Sequence, residues 1–172
     1  VALSGDGGDE LLAGYPTFQA DTLARIYQKI PHAIRKNIIE NFIRILPASE
    51  KNFSVDFKLK KFLDGFRVEE KYRHQAWLGS FLKEERMRLF KADLRESLAR
   101  DDEFAHLNQY FDEMKGADFR NAILHQYVRT YLLDGVLVKV DRASMCHALE
   151  VRAPFLDTQV VDFVYSLPYD LK

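Results

Sequence analysis

At 172 residues the chain has the size of one ordinary domain, and a composition 47% hydrophobic and 30% charged suits a soluble globular protein with its own core. Its 25 basic and 26 acidic side chains leave a net charge of -1, which gives no long-range reason to expect a nucleic acid partner. No run reaches the ~18 to 20 apolar residues of a membrane span, no signal peptide opens the chain, and the single Cys146 excludes an intrachain disulfide, so a cytoplasmic location is the default.

Val1-Ala2-Leu3, ending in a Gly-rich turn, reads as a buried strand of a parallel sheet. Nothing else in the chain reads as its partner, and an unpaired buried strand is costly, so sequence is expected to precede residue 1. After the turn Gly5 to Gly8, Asp9-Glu10-Leu11-Leu12-Ala13 reads as a helix start, with acidic residues at the positive end of the helix dipole. Pro31 fits the first turn of another helix, whose apolar stripe would be Ile34, Ile38, Ile39, Phe42, Ile45 and Leu46. Pro47 stops it.

Val55, Leu59, Phe62, Leu63 and Phe66 repeat the helical pattern, with Lys58, Lys60 and Lys61 as a solvated face. Helices are predicted over 69–82, 83–90, 91–99, 102–115 and 118–134. Gly135 interrupts the pattern, and periodicity leaves Val136 to Val140 open between extended and helical. Arg142 to Leu149 reads as a short helix, and Asp157 caps a last one that Pro168 closes. The fold class is mainly α, one N-terminal strand followed by a helical bundle, with no internal repeat or linker.

Two constellations stand out. In Ser4-Gly5-Asp6-Gly7-Gly8-Asp9-Glu10, the glycines at 5, 7 and 8 let the backbone turn tightly and approach a ligand such as a nucleotide. The carboxylates of Asp6, Asp9 and Glu10 are hard oxygen ligands of the kind Mg²⁺ takes, one or two at a time, beside phosphate and water. A bare Gly/Asp surface turn is the competing account. An EF-hand fails on spacing, and no Gly-Lys-Ser/Thr follows to make a Walker A loop.

The second constellation runs from Asp134 through Lys139, Asp141 and Arg142 to Glu150-Val151-Arg152-Ala153-Pro154-Phe155-Leu156-Asp157. Charges in apolar surroundings call for partners, such as Asp141 with Arg152 or Glu150 with Arg142, or for a substrate beside Lys139. Adjacent helical residues point about 100° apart, so Cys146 and His147 do not form a thiol–imidazole pair. A core cysteine and a partly buried histidine are expected. The histidines at 32, 74, 106 and 125 lack metal-ligand spacing.

Taken together, SGDGGDELLAGY and YLLDGVLVKVDRASMCHALEVRAPFLD resemble, in order, two long signatures of the glutamine-dependent asparagine synthetases of the B type. The resemblance spans the chain and is weakest between residues 20 and 120. It implies part of an adenine-nucleotide α-hydrolase-like (ATP pyrophosphatase) synthetase domain. In that family ATP and Mg²⁺ activate the aspartate side chain as an acyl-adenylate, and ammonia from an N-terminal glutaminase domain attacks it.

By the resemblance, Asp9 matches a Mg²⁺-binding carboxylate, Asp6 an acidic position near the reacting centre, and Glu10 a position facing aspartate. Lys139 falls near a basic position that contacts substrate or phosphate. Glu150, Arg152 and Asp157 belong to the signature with structural roles. Departures are Leu12 for Phe, Ala13 for Gly, and Cys146-His147 for Ala and a variable residue. The family's S-G-G-x-D-S pyrophosphate loop, its cysteine nucleophile and its Arg-Pro-Lys-x-Gly-Phe segment do not occur in this sequence. Residues 1–172 alone are therefore expected to be inactive, and an exposed sheet edge makes a homodimer an expectation.

Family members that acylate another acceptor, the β-lactam synthetases and peptide cyclases, usually alter the Asp6 position, so its acid favours asparagine formation. A non-catalytic helical interaction module would use the Gly/Asp loop only as a turn.

Overall fold

The computed structural model describes residues 1–47, 49, 54–79, 81–100 and 102–172. A two-residue strand, Ala2–Leu3 (β1), leads into a single helical turn, Gly8–Leu11 (α1), and then Pro16–Gln28 (α2). The helix His32–Ile34 (α3) runs through a π-helical stretch, Arg35–Glu40, into Asn41–Ile45 (α4). Val55–Asp64 (α5), Arg73–Leu78 (α6), Lys83–Leu89 (α7), Ala92–Ala99 (α8) and Ala105–Glu113 (α9) follow. Phe119–Tyr127 (α10) continues through a π stretch, Val128–Leu137, into Val138–Met145 (α11), an unbroken helical run. The second strand, Val151–Arg152 (β2), precedes Thr158–Ser166 (α12). The fold is mainly α, with a short parallel strand pair. It divides into two compact units, one made of Val1–Tyr15 with Ala105–Lys172, the other of Pro16–Phe104.

In the first unit, β1 has a partner that the sequence reading did not find. It pairs in parallel with β2, Ala2 opposite Val151 and Leu3 opposite Arg152. The amide of Ala2 donates to Glu150 O at 2.8 Å and that of Ser4 to Arg152 O at 2.9 Å. Two residues flanked by charge carry no period, so β2 gave no strand signal. The expected burial of β1 is also corrected, since Val1 is 78% and Leu3 75% exposed. Leu107, Ile123, Leu124, Tyr127, Leu132 and Val164 form the core of this unit.

The open question at Gly135 resolves as helix, with a wider π turn rather than a break. Such bulges occur often at functional sites. The helix expected over 142–149 ends at Met145, and Ala148 adopts a left-handed backbone with φ 51°. The Asp157 cap is present, its carboxylate accepting from the amide of Gln159 at 2.9 Å.

In the second unit, α2 falls where the sequence reading assigned nothing. Its buried line is Phe18, Asp21, Ala24 and Tyr27, while Leu23 and Ile26 face out. An acid in the buried stripe hides the amphipathic pattern from an apolar count. The stripe expected on 34–46 is largely exposed, as Ile34, Ile38, Phe42 and Ile45 all are; Ile43 is the buried residue of α4. Nor are the lysines of α5 merely solvated. Lys60 Nζ donates to Leu46 O at 3.0 Å and Lys61 Nζ to Gly79 O, each satisfying a carbonyl after a helix. Ser80, within the helix expected over 69–82, lies outside the described residues.

An aromatic cluster fills this unit. Tyr27, Phe62 and Phe66 meet with ring centroids 4.9–5.6 Å apart, and Trp77 stacks on Phe62 while its Nε1 donates to Phe62 O. Beside it lies a buried charge group. Arg73 is 2% exposed and reaches Asp21 at 3.3 Å, which also accepts from Arg25 Nε at 3.1 Å.

His74 is 2% exposed, its Nε2 4.0 Å from Asp21 and its ring on Phe18. Burial lowers its pKa from 6.5 to about 4, opposed by Asp21 and assisted by Arg73 and Arg25. The unfolded chain therefore binds a proton near pH 6.5 that the folded chain refuses until about pH 4. Stability from this residue is complete above pH 6.5 and declines as pH falls toward 4, by at most about 1.4 kcal/mol per pH unit. Urea unfolding between pH 7 and 4 should show a shallower loss in His74→Phe than in the unchanged chain. Equal slopes would refute it.

Candidate functional site

The Gly/Asp loop leaves β1 at Ser4 and closes on itself, the amide of Gly8 donating to Gly5 O at 3.2 Å. Of its three glycines, Gly7 alone has a left-handed backbone, with φ 90°, and a Cβ there would lie 2.3 Å from Leu156 Cδ2. A side chain would be strained on both counts. A Cβ at Gly8 would meet the ring of Phe155 at ordinary van der Waals distance. The loop thus sits on the Phe155-Leu156 pair of the second signature, and the β1–β2 pairing fixes the same approach. Two segments about 150 residues apart form one site floor.

The three carboxylates have different surroundings. Asp6 is half-buried, and its Oδ2 accepts from the Ser4 hydroxyl at 2.8 Å. Asp9 is exposed at the start of α1, its Oδ1 against Gly14, where a Cβ would come within 2.1 Å. The backbone of Gly14 donates to Asp9 O at 3.0 Å, and Ala13, with φ 56°, turns the chain back to bring the two together. Glu10 is 2% exposed and accepts from the Tyr15 hydroxyl at 2.6 Å. Tyr15 stacks on Tyr127 and meets Tyr131 edge-on, with centroids 5.6 and 5.5 Å away. Burial and the neighbouring Glu10 hold its phenol well above the ordinary tyrosine range, so it stays a donor.

Glu10 also lines a small cleft with Asn121, Tyr165 and Lys172, with room for about one water molecule. Behind it, His125 is satisfied at both nitrogens, by Tyr165 Oη at 2.9 Å and Glu113 Oε2 at 2.8 Å. Lys172 Nζ donates to Asn121 Oδ1 at 2.9 Å.

Lys139 is exposed on α11, and no hydrogen bond or ion pair joins it to the loop carboxylates among the described residues. The charges of the second constellation are on the surface, not in apolar surroundings. Arg152 pairs locally with Glu150 at 2.8 Å, and neither cross-pair expected with Asp141 or Arg142 forms among the described residues. Cys146 and His147 are both exposed, correcting the expected core cysteine and partly buried histidine. They follow the last turn of α11, a helix with no buried residue of its own.

Among the described residues, no three His, Cys, Asp or Glu side chains converge as a metal cage. The donor set fits a cation that takes one or two carboxylates and completes its shell with phosphate and water, as Mg²⁺ does. Gly14 and Tyr15 were given no role by sequence reasoning. Their signal was membership of the first signature, five and six positions beyond Asp9.

A strand–loop–helix unit presenting carboxylates from a glycine turn, backed by helices, defines the class of site. The chain belongs to the asparagine synthase family, whose description matches residues 1–172. It is 25% identical over its whole length to asparagine synthetase (glutamine-hydrolyzing) 1 of Bacillus subtilis (strain 168), covering 25% of that protein. It is 29% identical to putative asparagine synthetases (glutamine-hydrolyzing) of Mycobacterium bovis and Mycobacterium tuberculosis, covering all of this chain and 24% of each. The chain spans about a quarter of the length of these relatives. No solved structure matches it. No helix among the described residues is long and apolar enough to cross a membrane.

Proposed function

We propose that the whole protein carrying this chain is an ATP-dependent amide ligase that forms asparagine from aspartate. The side-chain carboxylate of aspartate attacks the α-phosphorus of ATP, pyrophosphate leaves, and ammonia derived from glutamine displaces AMP from the β-aspartyl-adenylate. The carrying observation is the Asp6–Glu10 loop. One half-buried and one exposed carboxylate flank a left-handed Gly7, on a floor made by the second signature.

In this reading Asp9 holds Mg²⁺, which supplies charge neutralisation at the phosphates when bound. Gly5, Gly7 and Gly8 leave the backbone open to the nucleotide. Asp6 takes the proton from the attacking amine, the Ser4 hydroxyl fixing its orientation. Glu10 faces the aspartate substrate, and Lys139 meets substrate or phosphate from the exposed face of α11.

The glutamine-hydrolyzing names of the relatives support glutamine as nitrogen donor, through a glutaminase domain of the same protein. The covered quarter of those relatives supports residues 1–172 being one part of the synthetase domain, inactive by themselves. A cytoplasmic location goes with an ATP-consuming reaction and a single cysteine.

The test is product analysis of the whole protein with aspartate, glutamine and MgATP. Asparagine, AMP and pyrophosphate are expected in equal amounts. AMP and pyrophosphate appearing only with a different carboxylate would reassign the substrate, and no turnover with any would reject the ligase.

A further inference from the structure

A carboxylate that is 2% exposed needs a partner to stay in one position, because burying it unpaired is costly. Glu10 has such a partner in Tyr15, five residues on, at 2.6 Å. The reach is made by the turn after α1, where Ala13 takes φ 56° and Gly14 bonds back to Asp9 O. The phenol ring is itself clamped between Tyr127, which is fully buried, and Tyr131. The π stretch that carries Tyr131 begins at the next residue after Tyr127, so the clamp spans the junction of α10 and the wider turn. A short bond from a neutral donor, on a ring held from two sides, fixes the Glu10 carboxylate without cancelling its charge.

We propose that Tyr15 is a positioning residue for the amino-acid substrate, acting through Glu10, with Tyr127 and Tyr131 as its clamp. This rests on the reading of Glu10 as the group facing aspartate. Losing the hydroxyl leaves the ring packing intact and frees the carboxylate to rotate. The loss should therefore appear in substrate affinity and not in nucleotide binding.

Steady-state kinetics of the whole protein test it, with aspartate varied at saturating MgATP and then the reverse. Tyr15→Phe is expected to raise the KM for aspartate roughly tenfold, the size of one hydrogen bond to a charged group, with kcat and the KM for ATP within about twofold. Glu10→Gln should raise the aspartate KM at least as much. A Tyr15→Phe enzyme with an unchanged aspartate KM, beside an impaired Glu10→Gln, overturns the inference and leaves the role of Glu10 standing. If Glu10→Gln also leaves the aspartate KM unchanged, the role of Glu10 falls and takes the inference with it.

Equal rises in both KM values would mark Tyr15 as merely structural and overturn it too. Should Tyr15→Phe fail to fold, 3-fluorotyrosine at position 15 keeps the ring and its hydroxyl and makes that hydroxyl more acidic, at the cost of one fluorine in place of a ring hydrogen. A shift in aspartate KM beyond about twofold without a change in melting temperature is then expected, a hydrogen bond's strength following its donor. No shift overturns the proposal.

Discussion

Replacing Asp21 with alanine is expected to destabilise the Pro16–Phe104 unit by about 3–5 kcal/mol, the cost of leaving a buried charge unpaired. Asp21 is 7% exposed and is the carboxylate on which Arg73, Arg25 and His74 converge. Arg73, at 2% exposure, has one further ion-pair partner among the described residues, Glu70 at 3.7 Å, which is half-exposed and screened by water. Its guanidinium lies over the Phe66 ring at 4.9 Å, an attraction too weak to replace an ion pair at this depth. Urea titration followed by the fluorescence of Trp77, which lies in the same aromatic cluster, reads the effect directly. The double replacement Asp21→Ala with Arg73→Met should recover most of the loss, since removing both charges removes the penalty. A single replacement costing under about 1 kcal/mol would show that the group is effectively solvated.

The second large effect is on activity. Gly14→Ala is expected to lower the turnover of the whole protein roughly a hundredfold, the scale on which an ångström of misplacement near a reacting centre is felt. A Cβ at residue 14 would lie 2.1 Å from Asp9 Oδ1, 2.9 Å from Asp9 Cγ and 3.2 Å from the α-carbon of the same residue. The carboxylate end can swing away, whereas the crowding against the main chain is relieved by a small backbone shift. The change therefore displaces the proposed Mg²⁺-holding oxygen while leaving the unit folded. Titrating activity with Mg²⁺ distinguishes this from unfolding. The half-saturating concentration should rise while the melting temperature moves by only a few degrees, as for a perturbation within about 1 kcal/mol. Turnover within threefold of the unchanged protein, at the same Mg²⁺ dependence, would mean that Asp9 tolerates the displacement and does not hold the metal.

These expectations differ in how far the sequence foretold them. The helices predicted over 83–90 and 91–99 appear as Lys83–Leu89 and Ala92–Ala99, because capping and periodicity act within a few residues. The Gly/Asp loop was visible for the same reason. Features that depend on distant residues were not. Val151–Arg152 becomes a strand only because Ala2–Leu3 lies beside it, and nothing local to it has a period of two. Helix α2 was hidden by Asp21, whose burial makes sense only once Arg73 and His74 arrive from fifty residues away. Cys146 was expected in the core and His147 partly buried, by type, but they come just after a helix end and are exposed. Within the site, Asp6, Asp9 and Glu10 were named from their pattern. The groups that orient them, Ser4, Gly14 and Tyr15, became apparent through distances.

The discontinuous unit has a consequence for biosynthesis. The first strand leaves the ribosome about 150 residues before the strand it pairs with, as the separation of Ala2 from Val151 requires. At ordinary translation rates this is a wait of roughly 8 to 30 seconds. Before that interval ends Pro16–Phe104 has been made in full and is free to collapse around its aromatic cluster, while Val151–Arg152, the partner of Ala2–Leu3, is still to come. The Gly/Asp loop can therefore acquire its native shape only late, after Phe155 and Leu156 have emerged to support it. Until then Ala2–Leu3 lacks its β2 partner, and a chaperone that shields this segment would act where that pairing is still missing.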